Sequence, residues 1–370
     1  MTRNKKSAAN PTDKGRGTKI KDFEDKKISD KVKKLDQYRQ SMPAQLDMFQ
    51  LLLPDEQRFS NTIELYDFIP KYVWGKVERV NGKFLDSLER EFECRGRHYK
   101  VEIKPASIRN KKGEERYYYP SKREELVEDA LRKFASEGQG LFLDDQASVT
   151  FSLYQLQQEL KSNGHSYSKD QIKDALMICA QTNIVVTSED GSTMLVSSLF
   201  DTLGLQTRED WQGQGQKTRA FVRFNSLVTT SIKNKSFRLF NYKVSMAYKS
   251  VIARQLHKRM AHHFTQASLA NPYTIMLTTI IRDFGLTAYD RLSHNLRDIQ
   301  RALDEMKGRE VILSYELQRT IDAENRSRLI DAKIIITPHP KFTSEVLHAN
   351  RKQKTISISS TGNANRSDVK

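Results

Sequence analysis

The stretch YDRLSHNLRDIQRALDEMK, residues 289–307, decides the fold of the C-terminal half of the chain. Its apolar side chains recur at steps of four, three, four and three residues, at Leu292, Leu296, Ile299, Leu303 and Met306. This spacing places them in one stripe along an α-helix. The positions between them are mostly polar or charged, so the stretch predicts a helix that buries one face and exposes the other to solvent.

The exposed face of this helix combines residue types that can read DNA bases. Arginine forks pair with O6 and N7 of guanine, an asparagine amide pairs with adenine, and a helix in the major groove brings both to the base edges. A solvated helix with ordinary charges is the alternative, so the elements around the helix matter. The predicted DNA-binding residues here are Arg291, His294, Asn295, Arg297, Asp298 and Arg301.

The elements on either side favour the DNA-binding interpretation. Apolar spacing predicts helices at about 245–264 and 274–284, before the helix at 289–307. Apolar runs at 311–313 and 334–336 then predict two strands joined by a polar loop. Three helices followed by a β-hairpin is the order of a winged helix-turn-helix.

The same order of elements occurs earlier in the chain. Helices are predicted after Ser121 and Ser152, and Ser168 with Gln171 has the spacing of a capping box that opens a third. A hairpin follows, with its turn at Asp190-Gly191. This repetition of element order predicts two tandem winged helices in an α+β protein. The third helix exposes Lys169 and Lys173, for which we predict a weak DNA contact or a role in assembly, a plain solvated face being the alternative.

Two segments flank the first predicted winged helix. Residues 62–119 hold short β-type runs and predict a small β-rich preface to it. Residues 205–220 place Gly213 and Gly215 between glutamines, which is typical of an interdomain linker or of an extended hairpin loop.

Charge is concentrated in one region of this 370-residue chain. The net charge is +16 and the sequence pI about 9.6, as in nucleic-acid-binding proteins, although a protein of the membrane surface can be equally basic. Residues 121–204 carry 7 Lys and Arg against 13 Asp and Glu, whereas residues 217–310 carry 17 against 6. Phosphate binding is therefore expected mainly in the second winged helix.

Several classes of protein are disfavoured. There is no apolar run of transmembrane length and no secretory leader, and the two cysteines, Cys94 and Cys179, have no partner at metal-ligand spacing. Phosphate-binding loops and recognisable catalytic constellations are also missing. We expect a cytoplasmic protein that is not an enzyme and that has no catalytic residue, metal or cofactor and no membrane partner.

A short motif follows the Lys-rich N-terminal arm. Gln45, Leu46, Asp47, Met48 and Phe49 fit the Gln-Leu-polar-apolar-Phe pentapeptide with which bacterial proteins bind the replicative sliding clamp. In this mode an extended segment fills apolar subsites with Leu46, Met48 and Phe49 while Gln45 forms a hydrogen bond at the rim. A short amphipathic turn that packs on its own domain is the alternative.

These observations divide the chain into six predicted parts. They are a disordered basic arm at 1–40, a clamp-binding-like segment at 41–60, the β-rich preface and first winged helix at 61–204, a linker at 205–220, the second winged helix at 221–345, and a disordered tail at 346–370.

Over roughly residues 45–340 the chain resembles the replication initiators of iteron-containing bacterial plasmids, of the TrfA/RepA type. The resemblance is most specific at Gln45–Phe49 and in VTFSLYQL, residues 149–156, continuing through Asn163-Gly164 to Leu176. In the second winged helix the resemblance lies in the order of helices and strands more than in the identities of the residues.

The resemblance implies binding to short direct repeats, the iterons, in double-stranded origin DNA, and melting of an adjacent AT-rich segment. It also implies recruitment of the host initiator DnaA, the replicative helicase and the sliding clamp, a role in plasmid copy control, and an equilibrium between homodimer and monomer. A winged-helix transcriptional repressor is one alternative. A rolling-circle nicking enzyme is another, although it would need a histidine metal motif that the sequence lacks.

Overall fold

The computed structural model describes residues 59–75, 84–109, 113–205, 219–234, 236–324 and 328–364. The predicted arm at 1–40 and the pentapeptide Gln45–Phe49 lie outside these residues, as does most of the predicted linker. No helix in the described ranges is long and apolar enough to cross a membrane.

The first part of the described chain is a mixed α+β unit. Its elements, in chain order, are β1 (Phe59–Ile63), α1 (Glu64–Phe68), β2 (Leu88–Cys94), β3 (Arg97–Lys104), β4 (Ala106–Arg109), β5 (Glu115–Tyr118), α2 (Lys122–Phe134), a π-helical turn (Ala135–Gln139), β6 (Gly140–Leu143), β7 (Gln146–Ser152), α3 (Leu153–Ser162), α4 (Lys169–Gln181), β8 (Asn183–Ser188), β9 (Met194–Ser198), β10 (Phe200–Leu205), β11 (Arg219–Phe224), α5 (Ser226–Lys233), β12 (Phe237–Asn241) and α6 (Tyr242–Ala247).

Helices α2, α3 and α4 with the hairpin β8–β9 form the first winged helix. Local capping sets where its helices begin. The Ser152 hydroxyl accepts a hydrogen bond from the Gln155 amide at 3.0 Å. Ser168 and Gln171 satisfy each other's backbone amides at 3.2 and 2.8 Å, so the predicted capping box is confirmed.

The β-rich segment before α2 is part of this winged helix. Strands β2 and β3 extend the wing into an antiparallel sheet of order β2-β3-β8-β9, in which Val101 lies opposite Val186. Val101 and Ile103 are fully buried on its inner face. The predicted β-rich preface at 62–119 therefore joins the first winged helix through this hairpin, whose alternating apolar residues complete the core of the first unit.

The predicted linker at 205–220 was wrong at both ends. β10 and β11 pair with each other, and β11 pairs with β7, in a four-stranded sheet of order β10-β11-β7-β6. β10 and β11 are consecutive antiparallel strands, as the alternative interpretation of this segment as a hairpin predicted. Since Ala220, Val222 and Phe224 are buried in the first core, that unit continues past position 221 as far as α6.

The second unit has its own core and begins near Tyr248. Its elements are α7 (Val251–His263), β13 (Tyr273–Met276), α8 (Leu277–Asp283), α9 (Leu292–Gly308), β14 (Ile312–Ile321), β15 (Leu329–Pro338) and α10 (Pro340–Ala364).

Helices α7, α8 and α9 with the wing β14–β15 form the second winged helix, so the predicted tandem arrangement is confirmed. Two helices differ from the prediction. The helix expected at 245–264 is interrupted between α6 and α7, and the one expected at 274–284 begins as β13. Tyr273–Met276 is extended because it pairs with β15, where Ile275 lies opposite Ile334 in the sheet. The wing strands are longer than expected, since β14 runs to Ile321 and β15 begins at Leu329.

The start of the predicted tail at 346–370 was placed too early, because Val346 and Ala349 lie within helix α10. Phe342, Val346 and Ala349 recur at helical spacing and are buried. Their burial stabilises a helix in a segment whose composition is largely polar.

Candidate DNA interface

Helix α9 presents the surface that the sequence analysis predicted. Leu296, Ile299, Leu303 and Met306 are at most 3% exposed and pack in the second core. Arg291 precedes the helix, and Arg291, His294, Arg297 and Arg301 are all exposed. One amphipathic helix therefore places three guanidinium groups and an imidazole in solvent.

Asn295 does not belong to this surface. It is 3% exposed, its Oδ1 accepts a hydrogen bond from the Tyr289 amide at 2.9 Å, and its Nδ2 donates to the Thr287 carbonyl at 2.8 Å. The side chain holds the turn that leads into α9. The prediction that Asn295 contacts a DNA base was therefore wrong, because both of its polar groups are used within the protein.

Asp298 and Arg301 form an ion pair on the helix surface, with Oδ1 and Nη1 3.1 Å apart. The Arg301 side chain is 71% exposed and that of Asp298 is 37% exposed. Such an exposed pair is weak in water. An anion that binds Arg301 more tightly can therefore replace Asp298 as its partner. The ion pair thus does not prevent Arg301 from binding another anionic group.

A cleft of about 300 Å³ separates α9 from the wing. On the helix side it is lined by Ser293, Arg297 and Gln300, and on the wing side by Arg319. In the described part of the chain neither guanidinium forms an ion pair with a carboxylate. The cleft places a helix arginine and a wing arginine on one concave surface. Arginines placed in this way can contact DNA phosphates, and such contacts fix the position of a protein on the duplex.

Sequence reasoning missed the wing side of this surface. Exposed basic residues there are Arg319, Arg328 and Lys333. Arg319 lies two residues after Leu317, which packs on the core, and the strand period of two turns both toward α9. The strands were predicted too short, so Arg319 was assigned to a loop with no defined direction. A longer alternating pattern at residues 312–321 was the available signal.

The wing and the helices around α9 are fixed to one another by polar contacts. Tyr315 of β14 donates to Asp304 of α9 at 2.9 Å. Asp331 of β15 accepts from the amide and the hydroxyl of Thr278 at 3.1 and 2.7 Å, at the start of α8. The cleft is thus formed between elements held in place from both sides.

Much of the positive charge in residues 217–310 is paired with carboxylates of the protein itself, partly in the interior and partly at the surface. Arg254 and Lys258 are buried against Glu125, at 2.9 and 3.3 Å. Further cations pair with carboxylates in Arg223–Asp144, Lys233–Asp145, Arg259–Asp283, Arg282–Asp283 and Arg309–Glu305. The regional charge therefore overstates the number of cations that can meet phosphate, and the exposed set on α9 and the wing is the relevant one.

The corresponding helix of the first unit, α4, is electrically mixed. Lys169 and Lys173 are exposed as predicted, and Asp170 and Asp174 beside them are exposed too. The opposite charges cancel on this face. Lys169 and Lys173 as DNA contacts therefore stay a prediction.

Among the described residues, no three His, Cys, Asp or Glu side chains come together as a metal site would require. Cys94 and Cys179 are both buried.

No protein-family model matches the sequence, and no curated protein matches it. Solved structures with a related arrangement include RctB domains 2–3, at a TM-score of 0.43 and 11% identity, covering 72% of this chain and 95% of that one. A SeMet derivative of domains 2 and 3 of RctB gives 0.42 and 12%, covering 68% and 91%. The Pi initiator protein in complex with iteron DNA gives 0.39 and 12%, covering 59% and 91%. Scores of this size describe a partial likeness in the arrangement of helices and strands.

Proposed function

We propose that this protein binds double-stranded DNA sequence-specifically through its two winged helices and initiates replication of a bacterial plasmid from repeated sites at the origin. The observation that carries DNA binding is the cleft between α9 and the wing, with Arg297 and Arg319 on its two sides. Exposed guanidinium groups on a concave surface bind phosphate oxygens and guanine edges in preference to apolar or cationic partners.

Within this proposal the arginines have different tasks. Arg297 and Arg301 lie on the exposed face of α9, and a helix of this kind reads bases in the major groove. Arg319 lies on the wing and would contact the backbone beside that groove. Base contacts discriminate between sequences, whereas backbone contacts strengthen binding to every sequence.

The experiment begins with selection of duplexes from a randomised pool by the full-length protein. Arg297→Ala and Arg301→Ala are each expected to weaken binding to the selected duplex by roughly 5–150-fold, from about 1–3 kcal/mol of lost discrimination. Arg319→Ala should weaken binding to selected and unrelated duplexes alike. Arg116→Ala is the matched control, since Arg116 is an exposed arginine of β5 in the first unit. If no duplex is enriched, or if the α9 variants bind like the unchanged protein, the proposal fails.

The initiator role is supported by the sequence resemblance at residues 149–176 and by the pentapeptide Gln45–Phe49. In this role the protein binds iterons, helps to melt adjacent AT-rich DNA and recruits DnaA and the replicative helicase. A plasmid carrying the gene and its flanking DNA is expected to be lost when Arg297 and Arg301 are both replaced by alanine. Permanganate reactivity at the AT-rich segment should disappear with it.

Two outcomes would assign a different function. If the same double variant loses DNA binding but the plasmid persists with raised transcription of the gene, the protein is a repressor. If the unchanged protein nicks supercoiled origin DNA, the rolling-circle alternative applies.

Clamp binding by Gln45, Leu46, Asp47, Met48 and Phe49 is a separate part of the proposal. Burial of Leu46, Met48 and Phe49 contributes a gross ~1.5–3 kcal/mol each, less the cost of ordering the peptide, which corresponds to micromolar affinity. Leu46→Ala with Phe49→Ala should remove clamp binding and lower plasmid replication while DNA binding is unchanged. A peptide of residues 41–53, with a scrambled peptide as control, measures the contact directly. Joint loss of thermal stability and DNA binding would instead mean that these residues pack on their own domain.

A further inference from the structure

The turn between α8 and α9 is in contact with the first unit. Trp74 precedes β2 in the chain, and its indole Nε1 donates a hydrogen bond to the Phe284 carbonyl at 2.8 Å. Phe284 is the C-cap of α8, where carbonyl groups lack partners within the helix. A residue 210 positions earlier in the chain thus satisfies the end of the helix that precedes α9.

Arg90 of β2 contacts the next residue of the same turn. Gly285 has a φ of +61°, and a Cβ atom built on it would lie 2.5 Å from Arg90 Nη1. Arg90 is itself held by the carbonyls of Pro70 and Tyr72, at 2.6 and 2.7 Å. The turn therefore fits against a guanidinium whose position is set by the first unit, and no larger residue than glycine can occupy position 285 without displacing it.

A charged layer extends this contact to the last turn of α8. Asp283 is 4% exposed, and its Oδ1 accepts from the Glu93 amide at 3.2 Å. Arg282 bridges the two units, with Nε 2.7 Å from Asp283 Oδ1 and Nη2 3.1 Å from Glu93 Oε2. Arg259 of α7 closes the layer at 3.0 Å from Asp283 Oδ2.

A second set of contacts joins the two units. It lies between α2 and α7, the first helices of the two winged helices. Glu125 of α2 is buried against Arg254 and Lys258 of α7, and Lys258 also pairs with Asp129 at 2.7 Å. Burial alone would raise the pKa of the Glu125 carboxyl, but the adjacent Arg254 and Lys258 outweigh burial and lower it. Separation of α2 from α7 would leave these charges without partners, so the contact opposes movement of one unit against the other.

We infer that these contacts make the protein a ruler, which reads one continuous DNA site at a fixed spacing between the segments bound by the two winged helices. The inference rests on the proposed function. Trp74 and Arg90 are positioning residues in it, because they orient α9 through its preceding turn and do not themselves touch DNA. The preferred ligand is a duplex in which both contacted segments lie at one separation and on one helical phase.

Spacing is tested with the selected duplex and full-length protein. One, two or five base pairs are inserted between the two segments protected in a footprint. Since a B-DNA turn takes about 10–10.5 base pairs, two extra base pairs rotate the second segment by roughly a fifth of a turn. The unchanged protein should lose at least about tenfold in affinity. Trp74→Phe with Arg90→Met should bind the original duplex more weakly but lose less than about threefold on insertion.

Asn271→Ala is the matched control. It removes a hydrogen bond from Asn271 to the Gln266 carbonyl, at 3.0 Å, which lies within the second unit and involves no residue of the charged layer. This variant should keep the full insertion penalty. Where the double variant unfolds, Trp74→Phe alone serves, because it keeps an aromatic ring and removes the indole N–H that meets Phe284.

A readout without DNA separates the ruler from the proposed function. Dyes on Ser166→Cys and Ser293→Cys, both at exposed positions, report the distance between the units, since Cys94 and Cys179 are buried. The distance distribution should be narrow in the unchanged protein and broader in the double variant. Equal distributions, or an insertion penalty that the double variant retains in full, overturn the inference. If no duplex is enriched while the distribution still broadens, the proposed function fails, and the ruler fails with it.

Discussion

Replacement of Asn295 distinguishes a residue that builds the DNA-binding surface from one that reads DNA. Asn295→Ala removes two hydrogen bonds, from the Tyr289 amide at 2.9 Å and to the Thr287 carbonyl at 2.8 Å. At a net ~0.5–1.5 kcal/mol each, their loss is expected to lower the free energy of unfolding by about 1–3 kcal/mol. Asn295→Asp should be worse than alanine at neutral pH, because a carboxylate oxygen would then face the Thr287 carbonyl oxygen.

The assay is urea denaturation followed by circular dichroism, with DNA titration of the same samples. Ser293→Ala is the control, because Ser293 is an exposed neighbour on α9 and its removal should leave the free energy of unfolding unchanged. The base preference of the Asn295 variants should stay that of the unchanged protein wherever they remain folded. An Asn295→Ala variant of full stability that tolerates any base at an adenine position would refute this reasoning.

Two other properties follow from the distribution of charge. The exposed cations at the start of α9, on α9 and on the wing number seven, at Arg291, Arg297, Arg301, Lys307, Arg319, Arg328 and Lys333. At about −0.9 for each phosphate neutralised, the log–log salt slope should be no steeper than about −6. A slope near −10 would show that cations outside this surface carry the binding. His257 is fully buried beside Lys258, and burial lowers its pKa from 6.5 to about 3. The His257 imidazole therefore binds a proton more readily in the unfolded chain than in the folded protein. The contribution of neutral His257 to the free energy of unfolding is complete above pH 6.5 and is lost as the pH falls, by about 1.4 kcal/mol near pH 5.5. His257→Phe should show a smaller drop in the free energy of unfolding between pH 7.5 and 5.5, and an equal drop would assign the effect to other groups.

Local sequence determined the helices that carry the surface. The spacing of Leu296, Ile299 and Leu303 was sufficient to predict α9 and its exposed arginines, because one turn of helix repeats at 3.6 residues wherever the helix packs. Ser168 and Gln171 were likewise sufficient to predict the start of α4. Such signals depend on neighbours a few positions away, so they are readable without knowledge of the fold.

Other features depend on partners far away in the chain, and only the tertiary structure decided them. Tyr273–Met276 has a helical pattern but becomes a strand because β15 supplies its hydrogen bonds. The residue type and position of Asn295 predict a contact with a DNA base, but in the folded protein its side chain is hydrogen-bonded to the backbone of Thr287 and Tyr289. Arg254 and Lys258 count as cations in the sequence, yet Glu125 of the first unit neutralises them in the interior. Whether a polar side chain meets water, protein or DNA depends on which surfaces the folded chain brings against it, and residue type and local spacing do not contain that information.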